Sequence, residues 1–81
     1  MSEEINSETI IEKIGTFDRI EILVNDKREM LFEGIIDAPY IEIHFRRILK
    51  TSRHFDIVKL MGFRGNRIRE SIAEVFVNKN Q

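Results

Sequence analysis

The chain has no cysteine, a single proline, four glycines and no apolar run longer than four residues. Without cysteine there is neither a disulfide framework nor a thiolate metal site. Stability must then come from the apolar core alone, with self-association as a further source. No segment approaches the roughly 20 apolar residues that a membrane-spanning helix needs. The opening Met1-Ser2-Glu3-Glu4 is acidic and has no apolar signal segment. These absences lead us to expect a cytoplasmic protein with no membrane partner, no cofactor and no metal.

What is present belongs to a folded chain. With 42% hydrophobic residues against 33% charged, the 81 positions carry more Ile, Val and Phe than a disordered segment would. The length predicts one domain, 1–81, with loose tails at 1–6 and 78–81. A core of this size leaves little room for a deep substrate pocket.

The net charge of −1 conceals a strong asymmetry. Positions 1–42 hold eleven acids and four bases, net −7, and positions 43–81 hold three acids and nine bases, net +6. Such a split points to nucleic acid or a charged protein partner. The alternative is that the two halves fold against each other and neutralise.

Ser7 can cap a short helix through Ile14, with Ile10, Ile11 and Ile14 on one stripe and Gly15 as its stop. Ile20, Ile22 and Val24 then alternate with Arg19, Glu21 and Leu23, and an extended pattern resumes at Met30 after Asn25-Asp26-Lys27-Arg28. Two such runs around an Asn/Asp turn predict a β-hairpin, with Gly34 at a bulge or bend. Positions 40–46 fit two patterns: strand alternation through Ile41, Ile43 and Phe45, or a helix through Ile41, Phe45, Ile48 and Leu49 capped by Asp37. The alternation and the β-branched residues favour strand. "FDIVKLMGF" predicts another strand and "RGN" a turn, while 67–77 suits either helix or strand. The expected fold class is α+β: a short N-terminal helix and a small, curved antiparallel sheet of four or five strands.

The stretch "IIEKIGTFDRIEILVNDKREMLFEGIIDAPY" resembles a small domain of accessory proteins from phages and mobile elements of Gram-positive bacteria. It shares a short helix, a strand like Arg19 to Val24, an Asn/Asp turn and a "LFEG" strand ending near a proline. The resemblance implies a setting more than a reaction. Small proteins of this kind often bind and disable host machinery, including CRISPR nucleases.

Five constellations could carry function. Ser52, His54 and Asp56 supply the residue types of a nucleophilic triad, but neighbours along one strand rarely converge as a triad must. The two histidines with Asp56 match no usual zinc spacing, and "GFRGNR" lacks the Gly-Lys-Ser/Thr end of a phosphate loop. Catalysis is therefore not expected. The basic set is the leading candidate: Arg46, Arg47, Lys50 and Arg53, then Phe63, Arg64, Arg67 and Arg69. If both stretches lie side by side, seven cations share one surface, with Phe55 and Phe63 available to stack on bases. The opposite candidate is an acidic face made of Glu21, Asp26, Glu29, Glu33 and Asp37, suited to a protein groove built for phosphates. The expected function is that of a non-enzymatic inhibitor of a host nucleic-acid-handling complex, such as a CRISPR nuclease. A small nucleic-acid-binding regulator and a self-associating assembly component are the alternatives.

Overall fold

The computed structural model describes residues 6–79. Of the tails expected at 1–6 and 78–81, positions 1–5 and 80–81 lie outside them. The elements run α1 (Ser7–Ile14), β1 (Arg19–Val24), β2 (Lys27–Glu33), α2 (Ala38–Thr51), β3 (Ile57–Arg64) and β4 (Ile68–Phe76). The strands form one antiparallel sheet in the order β2-β1-β3-β4, so the fold is α+β as expected. None of the helices among the described residues is long and apolar enough to cross a membrane.

The N-terminal helix is capped one residue earlier than expected. The Asn6 side chain accepts from the Thr9 N–H, and Ser7 is the first helical residue. The first hairpin turns on Asn25 and Asp26, at φ 53° and 69°. Two consecutive positive φ values match the twist of paired strands, and Asn and Asp adopt them at low cost. Gly34, at φ 82°, turns the chain out of β2 towards α2. It bends the chain after the strand and makes no bulge. The bulges fall elsewhere: Glu29 is the extra residue opposite Ile22 and Leu23, and Ile72 the extra residue opposite Leu60 and Met61. A bulge bends its strand and increases the local twist. In β4 it turns Ile72 into the core beside Ala73 and Val75, which is why 67–77 carried both periodicities.

Residues 40–46 are helical, against the strand expectation. Asp37 accepts from the Tyr40 N–H, Pro39 lies in the first turn, and Ala38, Ile41 and Phe45 are buried on one side. The cap, a proline where its missing N–H costs nothing, and an apolar stripe extended by Ile48 and Leu49 outweigh β-propensity. Of the alternating residues only Ile43 is misplaced by helical geometry, and it is 53% exposed.

Both helices cover the face of the sheet that carries Ile20, Ile22, Val58 and Leu60, all fully buried together with Ile14, Ile41 and Phe45. Burying each such side chain contributes about 1.5–3 kcal/mol. The 16–18 loop inserts Phe17 over Gly62, where a Cβ would meet the Phe17 ring at 2.5 Å. The glycine thus admits a ring that a side chain would exclude. The other face of the sheet carries Arg19, Glu21, Leu23, Lys59, Met61 and Phe63, and neither helix of the described residues covers it.

Candidate functional site

The outward side of α2 gathers one apolar and three basic residues. Ile43, Arg46, Arg47 and Lys50 follow the i, i+3, i+4, i+7 spacing that places them on one stripe. Together with Leu49 they line an open hollow of about 530 Å³. Arg47 and Lys50 are exposed, and their side chains have no hydrogen-bond or ion-pair partner among the described residues. Both cations are therefore available to a partner.

Arg46 is held differently. Its Nε donates to the Glu42 carboxylate, and its Nη2 donates to Ser7 Oγ at 2.7 Å. Ser7 Oγ in turn donates to Glu42 Oε2 at 2.8 Å. Glu42 is only 5% exposed, so its charge requires these partners. The node ties the first turn of α1 to the middle of α2.

The remaining predicted cations do not join this stripe. Arg53 lies between α2 and β3, and Arg64, Arg67 and Arg69 lie around the far hairpin. The length of β3, roughly 25 Å, separates them. The expected seven-cation surface is therefore not formed. Arg64 is engaged within the fold: its Nε donates to the Thr16 carbonyl at 2.9 Å, and its guanidinium lies 5.0 Å from the Phe17 ring centre. Phe63 is on the open sheet face with the Arg19 guanidinium 4.2 Å from its ring centre. Arg67 and Arg69 are exposed at the hairpin.

The acidic candidates are also dispersed. Glu21 pairs with Arg28 at 3.4 Å and Arg19 at 3.8 Å on the open face. Asp26, in the first hairpin turn, lies 3.5 Å from Lys59 Nζ, and Asp37 caps α2. Glu29 occupies the β2 bulge and Glu33 ends the strand, both exposed. Three of the five carboxylates thus have partners within the fold.

Ser52, His54 and Asp56 lie in the turn after α2, and each faces a different partner. Ser52 Oγ donates to the Ile48 carbonyl at 2.7 Å, and His54 Nδ1 accepts from the Lys79 N–H at 3.0 Å. Asp56 accepts from the Arg53 N–H at 2.8 Å and the Asn25 amide at 2.9 Å, and these bonds lower its pKa from the ordinary 3.8. The three do not converge on one point. Among the described residues, no group of three His, Asp or Glu side chains could hold a metal.

Sequence reasoning missed two aromatic groupings. Tyr40 of α2 makes edge contacts with His44, at 4.5 Å between ring centres, and with Phe32 of β2, and the His44 ring is tilted against Phe32. His54, Phe55 and Phe76 cluster at the end where α2 finishes and β3 begins. The second grouping had only a partial signal, because Phe76 is 21 positions away from Phe55 in the chain and β3–β4 pairing brings them together. Comparison with family models, curated proteins and solved structures finds no match to this chain.

Proposed function

We propose that this protein is a non-enzymatic binding module of a phage or mobile element that docks on a host nucleic-acid-handling complex and inhibits it, a CRISPR nuclease being the specific candidate. The phage setting rests on the sequence resemblance. The docking assignment rests on one observation: α2 presents Ile43, 53% exposed, beside the unpartnered cations Arg47 and Lys50. An apolar anchor with a charged surround is the usual anatomy of a docking patch, in which the anchor supplies affinity and the charges supply orientation. The hairpin carrying Arg67 is the weaker choice, because Phe63 and Arg64 beside it are already engaged within the fold.

The test is a cleavage assay across a panel of purified CRISPR nucleases, with wild type, Ile43→Asp, Arg47→Glu and Arg67→Glu at equal concentration. Wild type is expected to inhibit one of them. Ile43→Asp and Arg47→Glu should each weaken inhibition by about 2 kcal/mol, close to thirtyfold, with unchanged melting temperature. Arg67→Glu should behave as wild type. Inhibition of none by wild type, before or after guide loading, removes the nuclease target. Loss only with Arg67→Glu moves the docking face to the hairpin. A pull-down from a Gram-positive lysate, with and without nuclease treatment, reports whether nucleic acid bridges the complex.

A further inference from the structure

The end of the molecule around His54, Phe55 and Phe76 exposes aromatic rings that the core does not use. Phe55 sits at φ 78°. For a bulky aromatic residue this left-handed region is a genuine outlier, of the kind that concentrates at ligand clamps. The position is held firmly: the Phe55 N–H donates to the Val77 carbonyl at 2.8 Å, and the Asp56 N–H to the Arg53 carbonyl at 3.0 Å. A strained residue is commonly offset by burial of its side chain. Here the ring is 66% exposed.

The ring also has company. The His54 and Phe55 ring centres are 3.8 Å apart and inclined by 38°. Phe76, the last residue of β4, is 62% exposed with its ring centre 6.2 Å from that of Phe55 and inclined by 32°. His54 and Phe55 thus stack on one another, with exposed Phe76 beside them, at one end of the sheet. His54 is oriented by its Nδ1, which accepts from the Lys79 N–H and leaves the proton of the neutral ring on Nε2.

The surrounding charge selects the ligand. Lys50 and Arg53 precede the rings in the chain; the Lys50 ammonium has no hydrogen-bond or ion-pair partner among the described residues, and the exposed Arg53 guanidinium acts on the Asp56 carboxylate. Lys79 follows, with its ammonium on the Lys50 carbonyl at 2.7 Å. Arg53 and Lys27 line an adjoining open depression, together with Glu29 and Asp56. Asp56 already accepts two hydrogen bonds from within the turn. Exposed aromatic rings beside exposed cations suit a chain of planar bases joined by phosphates. Duplex ends its bases inside the stack and cannot use the rings.

We propose that His54, Phe55 and Phe76 form a stacking platform for unpaired bases of single-stranded nucleic acid, with Lys50 and Arg53 meeting its phosphates. This site shares Lys50 with the outer stripe of α2 but rests on the aromatic rings, which that stripe does not use, and it does not require an inhibitory role. The test is fluorescence anisotropy with labelled thymidine and uridine dodecamers and a duplex of the same length, at low salt. Wild type should bind the single strands and prefer them to duplex. Phe55→Gly and Phe76→Ser should each weaken single-strand binding by about tenfold, in keeping with the loss of one stacked base. Phe55→Gly should do so without lowering the melting temperature, because glycine accepts the positive φ without a Cβ penalty. Absence of single-strand binding by folded wild type overturns the proposal. So does equal binding of duplex, or full retention of affinity by both variants. Capture of a protein by the rings, with no affinity for either dodecamer, overturns it as well.

Discussion

Replacing Gly62 by alanine tests how the sheet, the α1–β1 loop and the second hairpin are locked together. A Cβ on Gly62 would lie 2.5, 2.6 and 2.7 Å from Cδ2, Cγ and Cε2 of Phe17. Ordinary contact begins near 3.4 Å, so the ring must retreat by about 1 Å. Three atoms of one ring face are involved, so rotation in place does not clear the clash. Retreat is resisted because Phe17 is 6% exposed within the core and carries the Arg64 guanidinium, itself bonded to Thr16. Overpacking of this kind costs about 1–3 kcal/mol. At about 4–8 °C per kcal/mol for a domain of this size, the middle of that range lowers the melting temperature by roughly 8–16 °C. Thermal melts followed by circular dichroism measure it directly. A second variant, Phe17→Leu, removes the obstructing ring. Alone it should destabilise by leaving a cavity, but on the Gly62→Ala background it should cost less, with a coupling of at least about 0.5 kcal/mol. A Gly62→Ala protein melting within about 2 °C of wild type, or additive single and double variants, would refute the packing argument.

Glu42→Ala should destabilise by about 1–3 kcal/mol in urea unfolding, since the Ser7 hydroxyl and Arg46 lose their shared acceptor. The Glu42→Ala and Arg46→Ala effects should be non-additive, and simple addition would mean that the node does not couple the helices. Asp56 makes a pH-dependent contribution of definite sign. The Arg53 N–H and the Asn25 amide lower its pKa in the folded protein. The stabilisation is therefore fully present above the unfolded value of about 4 and lost as pH falls through the lower folded value. The melting-temperature gap between wild type and Asp56→Ala should persist at neutral pH and narrow in acid, and a gap independent of pH would exclude the linkage.

The parts of the fold legible in the sequence are those encoded by neighbours. Ile20, Ile22 and the Asn25-Asp26 turn define a hairpin locally, and the structure realises it with the required positive φ values. The segment 40–46 was misread because three residues of alternating hydrophobicity satisfy two geometries at once. The deciding information lay outside that window, in Asp37 before it and in Ile48 and Leu49 after it. The bulge at Ile72 could not be read, since an extra residue in a strand imitates the helical period locally. In the candidate sites, Glu42 and Arg46 have readable i, i+4 spacing. Ser7 as their third member does not, being 35 positions from Glu42. The conformation of Phe55 is set by the Val77 carbonyl, a partner that only the β3–β4 pairing supplies.

The charge asymmetry along the chain becomes a layered arrangement in the fold. The order β2-β1-β3-β4 puts both strands of the acidic half on one side of the sheet and both strands of the basic half on the other. The helices are crossed over them. Acidic-half α1 packs on β4, whereas α2, which carries the basic stripe, places Tyr40 and His44 against Phe32 of β2 as well as touching β3. Apart from Glu42–Arg46 within α2, Lys59–Asp26 is the one ion pair among the described residues that joins the two halves, and an exposed pair of that kind contributes little. The helix layer consequently shows both signs, with exposed Glu8 and Glu12 on α1 and Arg47 and Lys50 on α2. Helices packed side by side are about 8–10 Å apart, close to the screening length of physiological salt, so each sign keeps its own local field. A uniform polyanion laid across both helices would be repelled at α1. A partner whose negative charge ends at the α2 stripe would be oriented by the same boundary, which favours a shaped protein surface over extended duplex as the occupant of that stripe.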